Sequence, residues 1–426
     1  MDWKTSCEDS HTIQGDFYNG SSGTLSVFPT ATTPFAELTK YNERISGGNI
    51  MYRWNHKLSD DSDWQIQTYY EQTQRRFVPT GSYYERHTID LDFQHRFRWH
   101  ENHEFIWGGC YRAFWDEFTA QPYFLSAAHE RDQYGIVSAF AQDTITLRED
   151  YLSLTIGTKL LHNDFTGGEV QPSARLLWTP TDRISSWFAA SRAVRTATRL
   201  TNDGRVVLPG GPAGPFPVVY PVIQGSSQLE SEDVFALEAG FRHQPTARFS
   251  WDLAAFWNRY EDLVGLGSGG GISLAPEGAI SVIPFANSGS AQTYGVEFAS
   301  NFQVNDKWSL QGNYTFVKLN FDGSVLGSAN DAPLNQFYLQ SSHQLSKQVE
   351  LDLIWRYIDS LSAQSVSAYS SFNVRLGWHP REAVEVYLMG TNLFSSPHSE
   401  YGNDPFAGTQ STKVPPGVLG GVAVRF

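Results

Sequence analysis

The chain has 426 residues with 31 basic and 45 acidic side chains, a formal net charge of −14, and no basic stripe, which argues against a nucleic-acid binder. Aromatic residues make up 14% of it (13 Trp, 20 Tyr, 28 Phe) beside 36 Gly, a balance that suits aromatic interface belts joined by glycine-rich loops. Two cysteines, Cys7 and Cys110, are too few for a disulfide framework, and no apolar run reaches the ~18 residues of a spanning helix, which leaves spanning by alternating strands open.

No export signal is visible at the start, where Met1 is followed by Asp2, Trp3 and Lys4 without a basic-then-apolar order. Residues 11–19 read as a short first strand and residues 20–40 as a loop rich in Ser, Thr, Gly and Pro. Residues 45–58 then alternate, with Ile50, Tyr52, Trp54 and Leu58 on one face and Asn49, Arg53, Asn55 and Lys57 on the other. A tight turn at 59–62 leads into a strand carrying Trp64, Ile66, Thr68 and Tyr70.

The clearest strand is RHTIDLDFQHRFRWH, residues 86–100. Its odd positions include Ile89, Leu91, Phe93, Phe97 and Trp99; its even positions include Asp90, Asp92, Arg96 and Arg98. Ordinary strands run about five or six residues, whereas crossing a bilayer at a tilt takes about nine to eleven, so this length implies something thick to cross. After a turn at 101–102, Phe105, Trp107, Gly109, Tyr111, Ala113 and Trp115 share a face, and a long loop covers 117–131.

Further tight turns are expected near 149–150, 181–182, 244–246, 305–306, 346–348 and 380–382, and longer loops at 196–228, 263–288, 322–332 and 395–414. Late strands keep two faces: Tyr294, Val296 and Phe298 oppose Glu297, Leu351, Leu353 and Trp355 oppose Asp352 and Arg356, and Val374, Leu376 and Trp378 oppose Arg375. Helix signals are nearly absent. The expected fold class is all-β: an antiparallel transmembrane β-barrel of about 18 strands, with short periplasmic turns and long extracellular loops.

On that reading Arg53, Asp90, Asp92, Arg96, Arg98, Arg112, Arg175, Glu297, Asp352, Arg356 and Arg375 line the lumen. The external loops carry Tyr123, Phe124, His129, Arg131, Arg199, Arg205, Phe216, Tyr220, Tyr401 and Phe406, expected to contact ligand because aromatic and arginine groups suit planar anions. Residues 265–270, GLGSGG, fit a dinucleotide fingerprint but lack a following helix, so a flexible loop is the better reading. The His100, Glu101, Asn102, His103 cluster straddles a turn, where solvated side chains are the default. No catalytic residue, metal ligand or cofactor is assigned, and no enzyme activity is expected.

Five segments resemble the TonB-dependent outer-membrane receptors: VQPSARLLWTPTD (170–182), WFAASRAVRTATR (187–199), NSGSAQTYGVEF (287–298), TNLFSSPHSEY (391–401) and the terminal GGVAVRF (420–426). One departure is Ala197, where family members often have proline. The family's signal peptide, TonB-contacting segment and plug are not found, and large outer-membrane transporters use 22 strands, so about four strands are also expected to be missing. The resemblance therefore implies a single barrel domain over 1–426, incomplete at the N-terminus and unable to transport alone. It implies an outer-membrane location in a Gram-negative-type bacterium, with lipid and lipopolysaccharide around the wall and TonB reached only through the missing segment. The implied ligand is a scarce small molecule, first a ferric siderophore. The rivals are a passive porin-like or structural barrel and a soluble β-rich carbohydrate-binding protein.

Overall fold

The computed structural model describes residues 1–30, 32–77, 81–119, 125–276, 278–323, 331–403 and 410–425. A short strand, β1 (Asp2–Lys4), precedes β2 (Asp9–Pro29), β3 (Ala36–Ser59), β4 (Ser62–Phe77), β5 (Ser82–His100) and β6 (His103–Thr119). After β7 (Leu125–Ala127) come β8 (Arg131–Arg148), β9 (Leu152–Asn163), β10 (Gly167–Thr181) and β11 (Ile184–Arg195). One helical turn, α1 (Arg199–Asp203), leads to β12 (Gly204–Val207), β13 (Gly211–Ala213) and β14 (Phe216–Gln224). Next are β15 (Glu232–Thr246), β16 (Phe249–Leu266), β17 (Ile272–Ala275), β18 (Gly278–Asn305), β19 (Trp308–Gly323) and β20 (Asn335–Gln344). The chain finishes with β21 (Val349–Ile358), β22 (Tyr369–Arg381), β23 (Val384–Leu393), β24 (His398–Ser399), β25 (Lys413–Val414) and β26 (Gly417–Val424).

The long strands form one antiparallel meander. From β2 each pairs with the next through β6, then β6 with β8, β8 with β9, β9 with β10 and β10 with β11. The wall continues β11, β15, β16, β18, β19, β20, β21, β22, β23, β26. From β2 to β26 this makes 18 wall strands, with β1 as a stub against β2. Among the described residues no pairing joins β26 to β1 or β2.

Period-two side-chain placement gives the wall two unlike faces. On β5, Ile89 and Leu91 are exposed whereas Thr88 and Asp90 are buried. Exposed apolar groups continue on the same face through Trp107, Tyr111 and Trp115 of β6 and Leu376 and Trp378 of β22. On the opposite face aromatic rings lie over glycines of the neighbouring strand, Phe140 over Gly108, Trp187 over Gly240, Phe256 over Gly295 and Tyr387 over Gly421. A side chain at any of these glycines would occupy the space of the ring.

The two-residue connections between wall strands all fall at one end of the wall, while the three-residue connection of β9 to β10 lies at the other. Two-residue gaps separate β3 from β4, β5 from β6, β10 from β11, β15 from β16, β18 from β19 and β22 from β23. Two expectations are corrected. The first full strand is 21 residues, not a short 11–19 segment, and most of 20–40 is strand, paired in unbroken register from Asp9↔His56 to Pro29↔Ala36. The Gly and Ser run that reads as loop is overridden by that ladder. The turn expected at 244–246 lies at 247–248, because β15 runs on to Thr246.

Candidate functional site: a capped mouth at the long-loop end

At the end opposite the tight turns, loop segments fold into a second small sheet. β7 pairs with β12, β12 and β13 with β14, β14 runs parallel to the first part of β18, and β17 pairs with that same part. This cap holds most of the large fully buried side chains among the described residues, Tyr220, Phe285, Ile223, Val207 and Val222. They fall into two apolar clusters: one around Ala197, Val206, Ile223, Leu229, Val264 and Phe285, the other around Val207, Tyr220, Val222 and Ile280. Burying such side chains is worth ~1.5–3 kcal/mol each, so the cap is a packed body rather than a set of free loops.

Named contacts tie the cap to the wall. The Tyr220 hydroxyl donates to the Thr30 carbonyl at 2.7 Å, reaching the tip between β2 and β3. Asn287 Nδ2 donates to the Glu230 carbonyl at 3.1 Å, and the Val264 amide donates to Glu232 at 2.7 Å.

The tightest tie is Arg199, the first residue of α1. Thr198 caps this turn, accepting from the Thr201 amide in a capping box, which fixes where Arg199 points. Arg199 is buried at 8% exposure. Its Nε donates to Asp203 at 2.7 Å, its Nη1 to Asp116 of β6 and its Nη2 to the His129 carbonyl, while Asp132 of β8 stands 3.5 Å away. Burial alone would lower the arginine's proton affinity; the Asp203 hydrogen bond and the charges of Asp116, Asp203 and Asp132 outweigh that and raise it. Three carboxylates thus share one guanidinium, and among the described residues the buried Oδ2 atoms of Asp116 and Asp203 lack a well-formed hydrogen bond.

Beneath the cap lies a cavity of about 670 Å³. Its wall side includes Tyr84 and Arg86 of β5, Phe114 and Phe118 of β6 and Tyr134 of β8, and Arg199 and Leu200 close it from the cap. Arg75 also lines it, whereas no Asp or Glu does among the described residues. Arg86 sits with its guanidinium carbon 5.6 Å from the Phe114 ring centre, and its buried Nε has no hydrogen-bond partner among the described residues. An aromatic hollow bordered by three guanidinium groups, of which Arg75 pairs with Glu43 at 3.7 Å and Arg199 with three aspartates, is chemically suited to a planar or polyaromatic anion chiefly through Arg86.

Of the loop residues singled out in the sequence, Tyr123, Phe124 and Phe406 lie outside the described residues. Arg199 lines the cavity. Tyr220 is 1% exposed and packs the cap core. Arg205, on β12, is half-buried, and burial lowers its proton affinity. Phe216 opens β14; His129 and Arg131 have exposed side chains, Arg131 pairing with Glu117 at 3.1 Å. Tyr401 is exposed and its hydroxyl lies 3.0 Å from that of Thr412, away from the cavity lining. The cavity residues missed by sequence reading, Arg75, Tyr84, Arg86, Phe114 and Tyr134, belong to wall strands. The available signal was Tyr84 and Arg86 two apart at the loop end of β5, on the face of Asp90.

By strand register Arg53, Asp90, Asp92, Arg96, Arg98, Arg112, Arg175, Glu297, Asp352, Arg356 and Arg375 fall on the face opposite the exposed apolar groups. Asp90 accepts from Arg112 at 2.8 Å, Arg53 donates to Gln67 at 2.9 Å, and Arg96 pairs with Asp63 and, at 3.2 Å, with Glu104. Arg98 lies 3.3 Å from Asp61, and Arg375 bridges Asp352 at 3.4 Å and Glu385. Arg356 stacks 5.6 Å from the Tyr338 ring centre. Asp92, Arg175 and Glu297 have no ion pair among the described residues.

A long antiparallel meander with an exposed apolar face, a charged opposite face and one capped end has the design of a membrane β-barrel wall. A family model described as TonB dependent receptor-like, beta-barrel matches residues 7–393, and the chain belongs to that family. TonB-dependent receptor barrels are outer-membrane proteins. No curated protein matches the chain at a significant level. Solved structures do match. The siderophore receptor PirA from Pseudomonas aeruginosa is 15% identical with a TM-score of 0.71, covering 92% of this chain and 66% of that one. PirA from Acinetobacter baumannii is 13% identical with a TM-score of 0.73, covering 100% and 69%. The FrpB iron transporter from Neisseria meningitidis is 13% identical with a TM-score of 0.74, covering 99% and 71%. At these identities the likeness is one of fold, and the chain spans 66% to 71% of the length of these receptors.

Proposed function

We propose that this chain forms the wall and ligand-capturing mouth of an outer-membrane receptor for TonB-dependent uptake, and that its ligand is an anionic aromatic iron chelate, a ferric siderophore. The apolar face meets lipid, and the charged face, including Asp92, Arg175 and Glu297, lines the lumen. The observation that carries the ligand class is the cavity, where Arg75, Arg86 and Arg199 stand among Tyr84, Phe114, Phe118 and Tyr134 with no lining carboxylate. Guanidinium groups supply charge-assisted hydrogen bonds to phenolate or carboxylate oxygens, and the rings supply stacking faces. The named functions of the PirA and FrpB neighbours, a siderophore receptor and an iron transporter, agree with this class.

Binding of a ferric tris-catecholate to the purified chain, followed by quenching of its intrinsic fluorescence, tests the reading. Arg86→Ala removes one charge-assisted contact, about 1.5–3 kcal/mol, and should weaken binding by tenfold or more. A wild-type chain that binds a neutral ferric hydroxamate as tightly as the anionic complex would refute the ligand class.

A further inference from the structure

Arg199 belongs to two environments at once. On one side it borders the cavity, and on the other it is held by Asp116 and Asp132 of the wall and Asp203 of its own turn. The arrangement is over-acidic: one guanidinium faces three carboxylates, and His129 stands 3.6 Å from Asp203 as a further partner only when protonated. Buried carboxylate oxygens left without well-formed hydrogen bonds are costly, so the clasp holds the cap seated without fully satisfying its own acceptors. Among the described ion pairs, Arg199 makes the only ones that connect α1 to wall strands. Drawing this guanidinium toward the cavity removes those ion pairs and leaves α1 held to the rest of the cap by the backbone hydrogen bonds from Ala128 to Asp203 and from Ser226 to Thr201.

We propose that Arg199 is a latch coupling occupancy of the cavity to seating of the cap: an anionic group bound there competes with the three aspartates for the guanidinium and releases the cap. This deepens, and rests on, the assignment of the cavity as an anion site. The coupling follows from differential affinity. An anion binds the state in which Arg199 faces the cavity better than the clasped state, so it shifts the population toward the unclasped one. Reciprocity then requires that weakening the clasp tightens the anion. Asp116 is the strongest competitor, since its side chain is fully buried and in direct contact, whereas Asp132 is farther and partly exposed.

The test uses the full chain purified in detergent, with 2,3-dihydroxybenzoate as probe, calorimetry to read binding and hydrogen-exchange mass spectrometry to read residues 198–207. The probe should speed amide exchange across this segment in the wild type. Asp116→Asn should exchange faster without probe and bind the probe about fivefold more tightly. Asp132→Asn should shift both readouts in the same direction by less, and it serves in place of Asp116→Asn if that variant does not assemble. Probe binding with unchanged or slower exchange, or wild-type affinity in the aspartate variants, overturns the latch and leaves the anion site standing. Absence of probe binding in the wild type overturns the anion site and the latch with it.

Discussion

Trp187 of β11 lies flat over Gly240 of β15, so closely that a Cβ at residue 240 would fall within the indole. The glycine is therefore required by space and not by backbone conformation. Gly240→Val should destabilise the wall by about 1–3 kcal/mol, the usual range for overpacking, and adding Trp187→Ala should recover much of the loss. Urea titration of the heat-modifiable band on gels measures both; equal destabilisation by the single and double variants would show that the ring is not what fills the site. Tyr220 gives a milder case at the same scale. Tyr220→Phe keeps the buried ring and removes the hydroxyl that donates to Thr30, a change worth about 1 kcal/mol. Faster protease cleavage near residues 30–35 with an unchanged wall midpoint is the expected outcome.

At the scale of the strand, β5 carries its design in plain view. Leu91 is exposed at 50% on the apolar face, while Asp90 beside it is 2% exposed and paired with Arg112 on the other. Leu91→Arg should impair membrane assembly by about 2–4 kcal/mol if the position lies near the midplane, whereas Asp92→Asn should assemble normally. Similar damage from both substitutions would mean the faces are assigned the wrong way round. Strands such as β5 were legible because alternation is local: residues two apart report the same face, and tight turns punctuate them. The cap was not legible. Its short strands have three to nine residues, interrupted by Gly and Pro, and its partners are remote, with Val206 beside Leu125, Val219 beside Ala279 and Arg199 on Asp116. Within 196–228 local chemistry shows only a loop; the sheet exists because three loops and a wall strand meet in space. The same limit explains β2, whose Gly20, Ser21, Ser22 and Gly23 look like a turn until Ala36–Ser59 is laid beside them. It also explains the cavity: Arg86 was seen as one more polar-face residue, and only the wall's curvature under the cap brings it near Tyr134 and Arg199.

Across the whole molecule, the separation of tight turns from the capped end gives the wall a polarity that the two native cysteines make measurable. Cys7 is exposed in the connection between β1 and β2, level with the β3–β4 turn through the pairing of Asp9 with His56. Cys110 sits within the wall, its thiol 3.4 Å from Asp90, and is replaced by Ser to remove its signal. On the proposed orientation, with short turns on the periplasmic side, the outer membrane should shield Cys7 in intact cells and the exposed loop residue Ser227 should lie outside. A membrane-impermeant maleimide should therefore label Ser227→Cys in intact cells carrying the assembled barrel and label Cys7 only after lysis. Labelling of Cys7 in intact cells with Ser227→Cys protected would invert the barrel and move the arginine-lined cavity to the periplasmic side, where it could not meet an external ligand first. Labelling of both before lysis would show that the wall is not embedded as a barrel. The polarity thus stands on the turn lengths alone, and the reagent reads it without any assumption about what the mouth binds.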